Sequence, residues 1–322
     1  MSPQRSLRPL FTLRTDGLIG RNVEQQKLID ALKVLQDTPN QTLLFYIAGD
    51  GGMGKTRLLE WARDHQLPPK TFCTTILDFY NSLLRTDVDL VERIYDDLVG
   101  QLASVPRDLT KGFDDYVKLR DRFRRQELGA MGGQTRTEVI KAFVDAWDPL
   151  TAEGYRLVVL LDTAELLRFQ DDEVRQRFNA PMPAATSKDW VMGVVEDNKL
   201  LPGALFIVAG RKEESLILYE ELREHAGPDG GDRRQWVIDL GGLDLNGVHD
   251  YFAELEQILH VNGYKDEAEQ IRDVIDAGLC PAFYQLSDGS PITLAIACRF
   301  SSMATAMNYQ ICLTNSLISQ TH

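Results

Sequence analysis

Three glycines, Gly51, Gly52 and Gly54, stand beside one lysine, Lys55, directly after an apolar run. Glycine loses more backbone freedom on folding than any other residue, so it is costly inside a strand or a helix. A loop that must wrap an anion closely has a reason to accept that cost. The stretch Gly49-Asp50-Gly51-Gly52-Met53-Gly54-Lys55-Thr56 satisfies every fixed position of G-x-x-x-x-G-K-[ST]. In such a loop the backbone N–H groups cradle phosphates, and the N-terminus of the following helix adds positive potential. Lys55 would reach the β- and γ-phosphates of a nucleotide, and the Thr56 hydroxyl would ligate magnesium. The plain alternative is a glycine-rich turn with a surface lysine. The strand–loop–helix setting argues against it.

A phosphate loop needs a partner carboxylate for the metal. The apolar run Leu157-Val158-Val159-Leu160-Leu161 ends in one acid, Asp162. A strand ending there places Asp162 at the carboxyl edge of a sheet, where ligands bind in open α/β folds. Magnesium takes hard oxygen ligands, and a hydroxyl, a carboxylate and phosphate oxygens supply them. Taken alone, Asp162 reads equally well as a cap of the following helix. The next residue is Thr163, where such sites usually carry a second acid to polarise the attacking water; hydrolysis is therefore expected to be slow. Glu165 lies near enough to act, although a carboxylate in a first helical turn also has a structural reason to be there. A second apolar run, 204–209, ends in Gly210-Arg211. In a parallel sheet Arg211 reaches the same edge, suited to a γ-phosphate.

The elements that must position these residues are legible from periodicity. Residues 42–48, 72–79, 157–161, 204–209 and 236–240 read as strands. A helix from about Val23 carries Leu28, Leu32 and Leu35, and another opens at about Arg57. Residues 88–103 form an amphipathic helix with Val88, Val91, Tyr95, Leu98 and Leu102 on one stripe. Residues 113–127 predict a helix and 129–133 a loop. Thr135-Arg136-Thr137-Glu138 has the form of a capping box ahead of the helix bearing Val139, Ile140, Phe143 and Trp147. Residues 245–299 predict helices broken at Gly263 and at 278–281. Strands alternating with helices argue for a parallel three-layered sheet, and the strandless remainder for a separate helical subdomain.

The chain has 322 residues and a net charge of −13, room for about two domains. An acidic balance disfavours nucleic-acid binding over the whole surface. Five basic residues between Lys118 and Arg125 nevertheless form a local patch. Four dispersed cysteines, Cys73, Cys280, Cys298 and Cys312, form no metal pattern; Cys73 and Cys298 lie in apolar runs and suit buried thiols in a reducing, cytoplasmic setting. No secretory signal and no membrane-spanning run is expected.

Beyond the residues themselves, the ordered motifs resemble those of STAND signal-transduction ATPases, including the NB-ARC branch. Gly20-Arg21 ahead of Glu24 resembles their adenine-side element, and "GDGGMGKT" their phosphate loop. "VVLLDTAE" resembles their Walker B strand, "FIVAGR" their sensor strand, and "DGSPITLAIA" their helical lid, with Pro291 packing near adenine. The resemblance runs over residues 17–299. It implies a P-loop NTPase α/β/α core with a parallel sheet over 17–243, a helical lid over 244–300, an N-terminal arm over 1–16, and a tail or truncated start of a further domain over 301–322. It implies an ATP/ADP switch with Mg2+, slow hydrolysis, and protein partners or nucleotide-dependent self-assembly. Thr163 and the absence of a winged-helix continuation depart from the family pattern. An origin-recognition-like AAA+ ATPase acting on DNA, and a non-catalytic nucleotide-binding scaffold, stay open as alternatives.

Overall fold

Apolar runs of seven or eight residues decide where the sheet forms. The computed structural model of the chain describes residues 18–65, 67–84, 86–126, 132–170, 186–196, 200–211, 217–228 and 230–301. The expected N-terminal arm and most of the expected tail lie outside them. The chain divides into two compact units, one of residues 23–49 and 55–239, the other of 1–22, 50–54 and 240–322.

In the larger unit, β1 (Thr42–Gly49), β3 (Arg156–Asp162) and β4 (Ala204–Gly210) are buried along their whole length. Near-continuous apolar strands of this kind belong in a sheet covered on both faces. β2 (Thr71–Asp78) is only partly buried and takes one edge; β5 (Val237–Leu240) takes the other. The sheet order is β2-β3-β4-β1-β5. The β2–β3, β3–β4 and β4–β1 ladders are parallel, and their registers end at Asp78 opposite Asp162, Leu161 opposite Val208 and Ala48 opposite Gly210. The carboxyl ends of β1 to β4 therefore share one edge. A register shift between Cys73 and Ile76 interrupts β2. There the Thr74 hydroxyl accepts from the Leu160 amide at 3.0 Å, so the buried donor keeps a partner.

Helix α1 (Asn22–Asp37) buries Leu28, Leu32 and Leu35, the stripe its spacing predicted, together with Ala31. Helix α2 (Lys55–His65) starts at the lysine of the loop. Helix α3 (Asp87–Leu102) is capped by Thr86, whose side chain accepts from the Asp89 amide at 3.1 Å, and buries Val88, Val91, Leu98 and Leu102. After a short turn of helix, α4 (Arg107–Thr110), come α5 (Gly112–Gln126) and α6 (Gly132–Ala152). Tyr116 of α5 and Phe143 and Trp147 of α6 are fully buried. Helix α6 overturns the expected capping box and the loop over Gly132 and Gly133. It is already helical three residues before Thr135, so the Thr-to-Glu spacing there falls inside a helix. Arg136 in that turn pairs instead with Asp87 of α3 at 3.0 Å. Helices α7 (Ser187–Glu196) and α8 (Ile217–Glu224), which periodicity had not marked, complete the unit.

The smaller unit carries α9 (Leu245–Val261), α10 (Lys265–Asp276), α11 (Cys280–Ser287) and α12 (Pro291–Ser301). Asp244 caps α9 by accepting from the Gly247 amide at 2.7 Å. Phe252, Leu259, Ile271, Cys280 and Leu294 form its core. The breaks fall at Gly263 and Gly278, both with positive φ, but Pro281 lies inside the first turn of α11 rather than in the break. Proline is tolerated there because first-turn amides have no intrahelical acceptor. Among the described residues no helix is long and apolar enough to cross a membrane.

Candidate phosphate-binding site

The carboxyl edge of the sheet gathers residues from three strands of the larger unit. Lys55 opens α2 and its Nζ donates to the Gly49 carbonyl at 2.7 Å. Thr56, one residue on, donates its hydroxyl to Asp162 Oδ2 at 2.6 Å. Asp162 ends β3 and is buried. Its other oxygen, Oδ1, accepts from the Thr163 amide at 2.8 Å. The hydroxyl and carboxylate that the sequence assigns to magnesium thus lie side by side, although 106 positions apart. Both are hard oxygen donors of the kind magnesium takes. Among the described residues no cluster of three His, Cys, Asp or Glu side chains is placed to hold a metal by itself. A magnesium ion here would fit only with phosphate oxygens and water completing its shell.

Arg211 and Glu165 reach the same edge and meet each other. Arg211 Nε lies 3.2 Å from Glu165 Oε1, and the Arg211 amide donates to Glu165 Oε2 at 3.1 Å. Glu165 sits in a 3-10 turn, Ala164–Gln170, directly after β3. The Arg211 side chain is 51% exposed, so the pair is held in water and is worth about 0.2–1 kcal/mol. Two side chains expected to act separately, on the γ-phosphate and on water, are here each other's partners.

Sequence reasoning missed Asp78. It ends β2 opposite Asp162, and its Oδ1 accepts from the Thr163 hydroxyl at 2.7 Å and from the Tyr80 amide at 2.9 Å. The signal was present, since the 72–79 strand, like 157–161, runs into an acid at its end. Thr163 itself has φ +59°, a left-handed conformation that a β-branched residue rarely adopts.

The smaller unit holds the rest of the loop and the lid motif. Gly52 and Gly54 have φ +83° and +94°, values that only glycine takes without strain. A Cβ on Gly52 would stand 2.2 Å from Ile292 Cγ2. The residue after Pro291 thus touches the loop backbone, and Ser290 lies beside it. Gly289 has φ +68°, and a Cβ there would stand 2.0 Å from the Leu243 carbonyl. That explains glycine at this point of the lid motif. Arg21 is buried, and its guanidinium donates to the carbonyls of Met53 at 3.2 Å and Gly241. It braces the glycine-rich loop through backbone acceptors. Gly20 turns with φ +65° beside Gly247. Asp50 is exposed and Gly51 has open space around it.

The basic patch on α5 is largely spent on neighbouring acids. Arg124 pairs with Asp89 and Glu92 of α3, and Arg120 lies 3.6 Å from Glu92 and Asp96. Lys118 pairs with Asp115 at 2.9 Å. Arg122 and Arg125 are exposed.

No protein-family model matches the sequence, and no curated protein matches it. Solved structures similar to the chain include Cdc6p from Pyrobaculum aerophilum, at 15% identity and TM-score 0.41 over 76% of this chain and 52% of that one. The ORC2 protein of Aeropyrum pernix in an ADPNP–ADP complex gives 14% identity and TM-score 0.45 over 79% of this chain and 56% of that one. Its ADP form gives 18% identity and TM-score 0.44 over 94% and 68%. The chain thus spans 52% and 56% of the length of the first two. With identities this low and TM-scores under 0.5, none of these likenesses carries a function to the chain.

Proposed function

We propose that the chain is an ATP- and ADP-binding switch ATPase of STAND type, in which slow hydrolysis governs lid conformation and assembly. The observation that carries nucleotide binding is the Thr56–Asp162 bond of 2.6 Å directly after the glycine-rich loop. Loop amides, the α2 N-terminus and Lys55 would hold the phosphates. Thr56 and Asp162 would hold magnesium, which when bound would neutralise phosphate charge. Arg21, Gly20 and Pro291 would shape the adenine side. Arg211 would turn from Glu165 to the γ-phosphate at small cost, since an exposed pair contributes little. Such an exchange gives ATP a contact that ADP lacks, and ligands bias two states only through differential contacts.

The test is equilibrium binding of ATP and ADP to the full chain with and without magnesium, paired with phosphate release at saturating ATP. Magnesium-dependent binding of both nucleotides with low turnover is expected. Binding without any turnover would favour the scaffold reading. An ATPase acting on DNA is the weaker alternative, because Lys118, Arg120 and Arg124 of the basic patch already hold carboxylates.

A further inference from the structure

Resting on the ATPase reading above, we infer that Asp78 is the general base of the site and Thr163 its positioning residue. The missing acid after Asp162 has not been lost from the edge; it stands on the neighbouring strand. Three hydrogen bonds link the residues in one line. Thr56 donates to Asp162 at 2.6 Å, the Thr163 amide donates to Asp162 at 2.8 Å, and the Thr163 hydroxyl donates to Asp78 at 2.7 Å. The carboxylate nearest the metal pair along this line is Asp78, which is exposed and faces Asp162 in register. Its Oδ1 is occupied by Thr163 and by the Tyr80 amide. Its Oδ2 accepts from none of the described residues and is open to a water molecule. The left-handed backbone of Thr163, φ +59°, points the same way, because strained residues persist where the surroundings hold them and cluster at working sites. Glu165 is the rival base: the Arg211 amide engages its Oε2, while its Oε1 comes free once the Arg211 side chain turns to the γ-phosphate, so Glu165→Gln is the control.

The step is a single displacement. The oxygen of a water forms a bond to the γ-phosphorus while the bond from that phosphorus to the β,γ-bridging oxygen breaks. ADP leaves with the electron pair, and the proton lost by the water passes to Asp78 Oδ2. Phosphate and ADP are the products, and no further reactant is needed.

The experiment uses the full chain with magnesium and ATP, and measures ATP affinity and phosphate release separately. Asp78→Asn keeps an oxygen to accept from Thr163 and Tyr80. It is expected to bind ATP within about threefold of the parent and to lose about 100-fold or more in kcat. Thr163→Val removes only the hydroxyl bond; kcat should fall by about tenfold with ATP affinity kept. A merely structural role would instead lower affinity and kcat together. Parent-like turnover in Asp78→Asn, or a loss of turnover confined to Glu165→Gln, overturns the assignment and leaves the ATPase reading intact. A parent that binds ATP without measurable turnover overturns the assignment of a base altogether. A parent that binds no ATP overturns the underlying reading as well.

Discussion

Two parts of the larger unit are rich in side chains that could meet a phosphate, and they differ in what surrounds those side chains. Helix α5 carries five basic residues between Lys118 and Arg125. The start of α2 carries one lysine after a glycine-rich turn. On α5, Arg120 and Arg124 lie against Glu92, Asp89 and Asp96 of α3, and Lys118 pairs with Asp115 on its own helix. Arg120 also lies over the Tyr95 ring, 5.7 Å from its centroid. Arg120 and Arg124 fasten one helix to another. At the start of α2, Lys55 donates to the Gly49 carbonyl and Thr56 to Asp162. A count of positive charges therefore misleads about anion sites. What matters is whether the surroundings present unspent donors, as a helix N-terminus and a turn of glycines do.

The largest effect on nucleotide affinity should come from Lys55→Ala. A charge-assisted hydrogen bond is worth about 1.5–3 kcal/mol, so ATP affinity should fall by about tenfold or more while the melting temperature barely moves. Equal ATP affinity in mutant and parent would remove the distinction between the two regions. Asp162→Asn comes next. It keeps an oxygen for Thr56 but loses the charge that a divalent ion needs, so the magnesium midpoint in an ATP-binding titration should rise by about tenfold. An unchanged midpoint would move the metal ligand elsewhere.

Arg211→Ala is expected to be smaller, because the side chain is half exposed and must first leave Glu165. The loss should fall on ATP and spare ADP, shifting the ATP/ADP preference by about fivefold, or about 1 kcal/mol. Paired titrations of both nucleotides in one buffer decide it. An equal loss for both would deny Arg211 a γ-phosphate role. The smallest effect belongs to α5. Changing Arg122 and Arg125 together to alanine should alter nucleotide affinity by less than about twofold and leave any salt-dependent DNA binding as it was. DNA binding lost in that double variant would make the patch a site after all.

The strand ends Gly49, Asp162 and Gly210 were legible because each closes a buried apolar run, and a parallel sheet brings such ends to one edge. The loop was legible because its glycines and lysine have fixed spacing. The helix stripes of α1 and α3 were legible from period. The start of α6 was not, since a Thr-to-Glu spacing occurs inside helices as well as before them, and only the helical backbone from Gly132 shows which applies. Helices α7 and α8 were missed because, at 10 and 8 residues, they are too short to set a clear period.

The sequence by itself determined the strands, the glycine-rich loop and the acid that ends β3, because burial pattern and glycine spacing are local properties of the chain. Tertiary structure decided which of those residues serve one another. Strand order brings Asp78 opposite Asp162, turns Thr163 toward Asp78, and joins Glu165 to Arg211. No spacing rule reaches across 85 positions from Thr163 to Asp78. That contact exists because β2 and β3 pair in parallel with their ends in register, and hydrogen-bonded pairing between strands is settled only when the whole sheet forms.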